Sequence, residues 1–319
     1  MSGLFFETNM LALWSKVFHN QKKEERMTKI KYWALVIMGV LLGSTSSYAA
    51  GDLKPLPGQK AVRVCADGYN LPYSNREGEG FDNKIAELLG KELGLPVEYY
   101  FFPQRIGFSR NTIKKVDPET GLFLCDLAMS IPEHTDFLKP TKPYWSSIEA
   151  MVYRKGEGYE LNQLKDIATA KKDGKPLRIG IFDRGVATKA LLDLGLADQI
   201  QYFQMMPGDA RVNAGRIINE ELAKDTIDVA LLWGPIAGYY ANESDVPMTV
   251  QPLNELGEAF IFSFSMGTRY QDKKWNALLN EFLAKNKDEI DAIMAQYHLP
   301  SLENVNPYPK KRVRKDDDD

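Results

Sequence analysis

The sequence has few residues suited to metal or nucleophilic chemistry. Its 319 residues include two cysteines and three histidines, and no HExxH, CxxC or GxSxG motif occurs. His134 and His298 do not stand beside cysteines or carboxylates at the spacing of metal ligands. We therefore expect no metal site, no cofactor and no enzymatic activity.

A surplus of basic residues is also missing. The formal net charge is -3 at pH 7 and the isoelectric point is near 5.8, so a general attraction to phosphate backbones is not expected and nucleic acid is excluded as a partner. No internal repeat is visible. Hydrophobic residues make up 44% of the chain, which is long enough to bury the cores of roughly two domains.

Long apolar runs are absent, and one short run lies near the N-terminus. Two lysines precede an apolar stretch from Tyr32 to Leu42, and small residues follow as far as Ala49. This order is typical of a signal peptide, and the run is about half as long as a membrane span. We predict a signal peptide over Met27–Ala49, cleavage after Ala49, export to the periplasm and no membrane span afterwards. Residues 1–26 are then either untranslated, with synthesis starting at Met27, or a cleaved extension.

Strand-like and helix-like patterns alternate along the rest of the chain. Strands are predicted at Val62–Ala66, Val97–Phe102, Leu122–Met129, Leu177–Phe182, Gln201–Gln204, Asp228–Leu232 and Ala259–Met266. Helices are predicted at Phe81–Leu89, Ile106–Lys115, Leu161–Ala170, Val186–Leu194, Ala210–Leu222, Lys273–Ala284 and Asp288–Tyr297. Such alternation predicts an α/β fold with mostly parallel sheets flanked by helices.

The alternation restarts after Tyr153, which predicts two lobes. They would be joined near Met151–Tyr153, and the apolar run Ala259–Met266 would be the strand that returns to the first lobe. The predicted segments are 1–49 (extension and signal peptide), 50–153 (first lobe), 154–261 (second lobe), 262–300 (return to the first lobe) and 301–319 (charged tail). The tail ends in a basic cluster followed by four aspartates and is expected to be solvated.

The two cysteines remain after export into a compartment where disulfides persist. Cys65 and Cys125 lie near the ends of two predicted strands. Neighbouring parallel strands bring Cα atoms close enough for a disulfide, so we predict that these two cysteines are bonded. The alternative is two buried free thiols.

The order of elements resembles the type II periplasmic solute-binding proteins, over residues 60–300. In the amino-acid-binding branch the third strand is followed by S-x-T-x-E-R and later by S-x-P-Y; here Ser130-Ile131-Pro132-Glu133-His134 precedes Pro143-Tyr144. His134 replaces the arginine that grips the substrate carboxylate in that branch, and Trp233-Gly234-Pro235 replaces the acidic residue for its ammonium group. The resemblance implies a two-lobed fold with two hinge strands, and a ligand other than an ordinary amino acid.

Three stretches are more specific. They are Val64 to Phe81 with its Asn70-Leu71-Pro72-Tyr73, Arg105 to Thr112, and Trp233 to Tyr240. Together they resemble the binding proteins associated with quinoprotein dehydrogenases, of the MxaJ (MoxJ) and XoxJ type. That resemblance implies a role in the maturation, activation or assembly of a methanol dehydrogenase that uses pyrroloquinoline quinone (PQQ), with a dehydrogenase subunit as partner.

Two other functions stay open. A transporter-linked receptor for an unidentified small solute would use the same cleft and close around its ligand. A few folds of this type have become dehydratases, for which Asp67 or Asp183 would be the candidate acid or base.

Candidate ligand residues follow from the rule that ligands bind beyond the carboxyl ends of the strands of an open α/β sheet. They are Asp67, Tyr69, Asn70, Ser130, His134, Asp183, Arg184, Gly185, Trp233 and Gly234. Gly185 precedes a predicted helix, whose free N–H groups would suit an anion. Each has an alternative: Asp67 and Asn70 as turn caps, His134 as a surface residue, Trp233 as filling between the lobes.

Aromatic residues at Tyr239-Tyr240 are candidates for contact with the partner. They come soon after Trp233, where an exposed face is expected, and aromatic side chains often anchor protein interfaces. Burial in the core is the alternative.

Overall fold

The computed structural model describes residues 53–183 and 185–303. The predicted signal peptide Met27–Ala49, Arg184 and the tail beyond Glu303 lie outside the described residues. Within the described part of the chain, no helix is both long and apolar enough to cross a membrane.

Fourteen strands are formed by the described residues. They are β1 (Val62–Ala66), β2 (Tyr69–Asn70), β3 (Ser74–Asn75), β4 (Val97–Phe101), β5 (Leu127–Pro132), β6 (Lys139–Ser147), β7 (Glu149–Arg154), β8 (Lys171–Lys172), β9 (Lys175–Pro176), β10 (Ile179–Phe182), β11 (Ile200–Phe203), β12 (Val229–Trp233), β13 (Met248–Pro252) and β14 (Phe262–Thr268).

The helices of the same residues are mostly short. The α-helices are α1 (Phe81–Leu93), α2 (Phe108–Asn111), α3 (Thr188–Asp193), α4 (Gly234–Asn242), α5 (Lys273–Lys285) and α6 (Lys287–Ala295). Single turns of 3-10 helix occupy Leu164–Ala168, Ala197–Gln199, Asn254–Leu256 and Glu258–Phe260, and Ile217–Leu222 forms a π-helix.

Two five-stranded mixed sheets organise the chain, which confirms the predicted α/β fold. The first has the order β4-β1-β5-β14-β6 and the second the order β11-β10-β12-β7-β13. In each, three strands run parallel: β1 lies between β4 and β5, and β10 lies between β11 and β12. The remaining two strands of each sheet pair antiparallel.

Helices α1, α5 and α6 cover the first sheet. Apolar residues of α1 recur at helical spacing, so that Ile85 and Leu89 are buried against the sheet together with Leu279 and Phe282 of α5. Gly94 ends α1 in the left-handed conformation, at φ 63°, which glycine adopts without a steric cost. The return of α5 and α6 to the first sheet is the arrangement that the sequence predicts.

The sequence patterns missed the four two-residue strands and three strands of the large sheets: β6, β7 and β13. β6 contains Pro140 and Pro143, which argue against a strand, but it lies at the edge of its sheet, where proline is tolerated. Every residue of β7 is buried, so its side chains show no alternation. β13 pairs only with β7, so its formation as a strand depends on β7 being in place.

Three predicted helices are much shorter in the structure. The helix expected at Leu161–Ala170 forms only the 3-10 segment Leu164–Ala168. The helix expected at Ile106–Lys115 is reduced to Phe108–Asn111, because Gly107 at φ 90° turns the chain immediately before it. Of the helix expected at Ala210–Leu222, only Ile217–Leu222 forms.

The chain crosses from the first sheet to the second at Ile148, between β6 and β7. It returns between β13 and β14. Met151 and Tyr153, expected at the joint of two lobes, are instead buried in β7, which pairs with β12 and β13 inside the second sheet. The residue numbers of the lobe boundaries stay predictions.

The predicted disulfide is confirmed. Cys65 and Cys125 are bonded, with their Cα atoms 5.4 Å apart. Cys65 lies on β1 opposite Ala128 of the adjacent β5, and Cys125 lies three residues before that partner. The bond therefore fixes the segment before β5 to the centre of the first sheet.

Candidate functional site

The loops beyond the carboxyl ends of the parallel strands form the candidate site, as the sequence predicts. Asp67 follows β1 and is 6% exposed. Its carboxylate accepts hydrogen bonds from the backbone N–H groups of Tyr69 at 3.0 Å and Gln104 at 2.7 Å. Both carboxylate oxygens are engaged with backbone, so the structure supports the turn-capping role; a contact between Asp67 and a ligand stays a prediction.

Gln104, which the sequence analysis missed, connects the two loops that follow β1 and β4. Besides its N–H bond to Asp67, its side-chain oxygen accepts a hydrogen bond from the Asn70 amide at 3.3 Å. Tyr69 is 44% exposed, beside the guanidinium of Arg76. The rule that picked out Asp67 and Asn70 applies equally to the loop after β4, and would have found Gln104 there.

A buried polar cluster lies under these loops, around Asp82 in the first turn of α1. The Asp82 carboxylate oxygen Oδ1 accepts hydrogen bonds from the hydroxyls of Tyr144 at 2.6 Å and Ser130 at 2.8 Å. The Ser130 hydroxyl in turn accepts a hydrogen bond from the Trp145 indole at 3.1 Å. Ser130 was predicted as a site residue; Asp82 and Tyr144 were not.

Burial changes the acidity of this cluster. It raises the pKa of Asp82 to about 7, against the hydrogen bonds from Tyr144 and Ser130, which lower it. Burial, reinforced by the neighbouring Asp82, raises the pKa of Tyr144 well above its usual range. Ionisation of Asp82 is therefore expected to move from its usual acidic range to near neutral pH, and its hydrogen bonds couple it to Tyr144 and Ser130.

Aromatic side chains fill the space between the two sheets. Trp233, at the end of β12 in the second sheet, contacts Trp145 and Phe264 of the first sheet, with ring centroids 6.4 and 5.8 Å apart. Phe262 packs against the same indole edge-on at 5.8 Å. The structure thus supports the role of Trp233 as filling between the lobes.

Gly234 and the helix it begins lie tightly against the crossover. A Cβ atom on Gly234 would stand 2.2 Å from the Ser147 hydroxyl oxygen and 2.4 Å from the Ile148 carbonyl oxygen. Only glycine lets the two backbone segments come this close, so packing alone explains why glycine occupies position 234.

The expected partner-contact surface at Tyr239-Tyr240 is corrected by the structure. Tyr240 is 6% exposed, and its hydroxyl donates to the Leu71 carbonyl at 3.4 Å. Tyr239 is half-buried, with its ring stacked on Tyr297 at 6.0 Å. Because α4 turns this face inward against the first-sheet residues, the pair stabilises the junction rather than presenting an exposed aromatic anchor.

The expected anion site near Gly185 is already filled. The carboxylate of Glu149 accepts hydrogen bonds from the backbone N–H groups of Val186 at 3.0 Å and Ala187 at 2.8 Å. An internal carboxylate therefore takes the position that was expected for an anionic ligand. Burial raises the pKa of Glu149, and the two N–H groups oppose that rise.

The remaining predicted residues do not converge on one point. Asp183 is exposed and accepts a hydrogen bond from the backbone N–H of Met205 at 2.7 Å. His134 lies exposed in the loop between β5 and β6, which matches the alternative of a surface histidine. Arg184 lies outside the described residues.

Hydrogen bonds from two side chains join loops of the first sheet to the second. The guanidinium of Arg105 donates to the carbonyl of Pro207 and to that of Asp209, the latter at 3.3 Å. The second link is the bond from Tyr240 to Leu71 already described. Polar side chains on one side therefore hold backbone carbonyls on the other across the site.

Known proteins are similar to this chain in sequence and fold, although no family model matches it. Protein MoxJ of Paracoccus denitrificans is 25% identical over 260 residues, which are 76% of this chain and 89% of MoxJ. The periplasmic binding protein XoxJ of Methylobacterium extorquens AM1 is 34% identical, and its crystal structure matches with a TM-score of 0.59 over 75% of this chain and 98% of XoxJ. An ancestral cationic amino-acid solute-binding protein, AncCDT-1, is 21% identical and has the same fold, with a TM-score of 0.57 over 75% and 95% of the two chains.

Proposed function

Because the chain belongs to the family of MoxJ- and XoxJ-type periplasmic binding proteins, we propose that it supports a PQQ-dependent methanol dehydrogenase. It does so without catalysis, by contact with a dehydrogenase subunit during maturation, activation or assembly. It reaches the periplasm through the signal peptide over Met27–Ala49. The family resemblance of the sequence motifs supports the dehydrogenase as partner.

One observation carries the choice of a docking role over transport of an amino acid. The positions at which an amino-acid receptor would grip its ligand are taken by the protein's own groups. Glu149 fills the helix start, and Trp233 packs against Trp145 where a cleft would hold substrate. His134 stands exposed in place of the arginine that would bind a carboxylate. A scaffold altered in this way favours a protein partner.

The absence of catalysis rests on the state of the candidate acids. Asp67 is committed to two backbone N–H groups, and Asp183 holds the N–H of Met205. These bonds give each carboxylate a structural role in holding its loop, which supports a non-catalytic function for both residues. Incubation with prephenate or arogenate is expected to give no turnover.

Deletion of the gene in its native host tests the proposal. We expect the specific activity of periplasmic methanol dehydrogenase to fall, while its polypeptide remains detectable by immunoblot, and a plasmid copy of the gene to restore activity. The immunoblot separates a defect in maturation from a loss of expression. Fully active dehydrogenase in the deletion strain would contradict the proposal.

A direct binding measurement is the second arm. Purified protein and purified dehydrogenase subunits are mixed and examined by sedimentation velocity, with and without PQQ loaded on the enzyme. Binding that is stronger to the unloaded enzyme is expected of a maturation factor. If no complex forms with either the PQQ-loaded or the unloaded dehydrogenase, the proposed protein contact is contradicted.

A further inference from the structure

A groove opens on the first-sheet side, next to the candidate site. It has a volume of about 470 Å³ and lies between the loop after β4 and the end of β5. Its lining residues are Gln104, Arg105, Ile106, Gly107, Phe108, Ser109, Arg110, Lys114, Ser130, Ile131, Pro132 and Phe137. A volume of this size lies within the range of about 300–1,000 Å³ that small-molecule sites occupy.

The charge of the groove has one sign. Three cations line it, at Arg105, Arg110 and Lys114, and no aspartate or glutamate is among its lining residues. Arg105 is engaged with the carbonyls of Pro207 and Asp209. Arg110, in α2, and Lys114, in the turn after it, are both exposed, and neither is paired with a carboxylate of the described residues. Two cations are therefore available to an incoming anion.

Apolar surface lies beside these cations. Ile106 is 92% exposed and Phe137 is 43% exposed, and both line the groove. An isoleucine exposed so fully forgoes the stabilisation that burial of an apolar side chain gives. Ile131 and Pro132 form the wall between the two exposed side chains and the buried Ser130.

We infer that this groove binds a small organic anion with an apolar or aromatic body. Its carboxylates would meet Arg110 and Lys114, and its body would cover Ile106 and Phe137. Arg105 would stay with the opposite loop. This inference does not rest on the proposed contact with a dehydrogenase, since it assigns a ligand site by charge and shape alone.

Titration calorimetry with terephthalate, an aromatic dicarboxylate, tests the inference on the full mature chain. Two reference compounds each lack one feature: benzenedimethanol has the ring without charge, and succinate has the charges without the ring. We expect terephthalate to bind at least tenfold more tightly than either, and its affinity to fall as salt is raised, because exposed charges are screened.

Variants of the two available cations locate the site. The double change Arg110→Gln with Lys114→Gln is expected to weaken terephthalate binding at least tenfold. Lys115→Gln is the matched control, because Lys115 is equally exposed and adjacent but does not line the groove. The charge-retaining change Arg110→Lys is expected to keep most of the affinity, and thermal melts of all variants verify the fold.

Three outcomes would overturn the inference. They are no saturable binding of terephthalate, equal binding of benzenedimethanol, or equal losses in the double variant and in Lys115→Gln. If terephthalate fails to bind while the double variant weakens a complex with dehydrogenase, the groove is a protein-docking surface and not a small-ligand site. A double variant that loses terephthalate binding but keeps its complex with dehydrogenase would support this inference and place the docking surface elsewhere, whereas normal terephthalate binding by the double variant would overturn it.

Discussion

Asp82 makes the stability of the fold depend on pH. Burial raises its pKa to about 7, whereas an aspartate in the unfolded chain ionises near 3.8. Between these values the unfolded chain has released a proton that the folded protein still holds. The contribution of Asp82 to the free energy of unfolding is therefore expected to fall as pH rises through this window, by at most about 1.4 kcal/mol per pH unit, and to be level below and above it.

Replacing Asp82 by asparagine is expected to remove this slope. The amide oxygen can still accept the hydrogen bonds from Tyr144 and Ser130, and no proton is exchanged. Urea denaturation of Asp82→Asn and of the wild type across pH 4 to 7.5 measures the difference. The exposed Asp288 provides the control Asp288→Asn, which is expected to keep the wild-type slope. An unchanged slope in Asp82→Asn would refute the assignment of the proton to this carboxyl.

Glu149 is expected to be a structural anion rather than a ligand contact. Changing it to glutamine replaces one acceptor oxygen by an NH₂ group facing a backbone N–H, and leaving a buried donor unsatisfied costs about 1–3 kcal/mol. Hydrogen exchange at Val186 and Ala187 is expected to accelerate in Glu149→Gln. Glu160→Gln, at an exposed glutamate, is the control and should leave both amides protected as in the wild type.

At the level of single residues, sequence reasoning found the loops and missed the buried partners. Asp67 and Asn70 were predicted because they follow a strand, and the structure places them there. Asp82 reads as an ordinary acid in the first turn of a helix, and its partner Tyr144 lies 62 positions further along the chain. No local pattern reveals a bond between them, because only the fold brings β6 beside α1.

Helix α4 makes the closest contact of any element with the segment after α6. A Cβ atom on Gly238 would stand 1.9 Å from the His298 carbonyl oxygen, whereas a Cβ on Gly208 would meet nothing within 4 Å. Gly238→Ala is therefore expected to destabilise the protein by about 1–3 kcal/mol, since the backbone must move apart. Gly208→Ala is the matched control. Thermal melts that shift equally for both variants would show that α4 is not held by this contact.

The helices and strands that could be predicted from the sequence are those whose own residues show a clear helical or strand pattern. The β-rich run at Val62–Ala66 and the amphipathic pattern of α1 and α5 appear in the structure at nearly the expected positions. β7 shows no such local signal, because it is fully buried between β12 and β13 and its side chains therefore do not alternate between apolar and polar. Its identity as a strand is set by a partner that comes 75 or more positions later in the sequence.

At the scale of the whole molecule, Arg105 is one of the residues that bond loops of the first sheet to those of the second. It donates to the carbonyls of Pro207 and Asp209, and its loss would leave both without this cation. We expect Arg105→Ala to widen the distribution of distances between the two sheets. Spin labels at exposed positions 119 and 189, introduced as single cysteines beside the native disulfide, would report it by pulsed electron resonance.

The control for this last prediction is Arg110→Ala. Arg110 is a nearby cation in α2 that makes no hydrogen bond to the second sheet among the described residues. A distance distribution that widens in Arg105→Ala but not in Arg110→Ala assigns the restraint to the carbonyl contacts and not to general charge. Identical distributions in both variants would mean that the aromatic packing of Trp233 against Trp145 and the bond from Tyr240 to Leu71 suffice. The distinction matters for function, because a receptor must open and close around its solute, whereas a docking factor works with the sheets held in one arrangement.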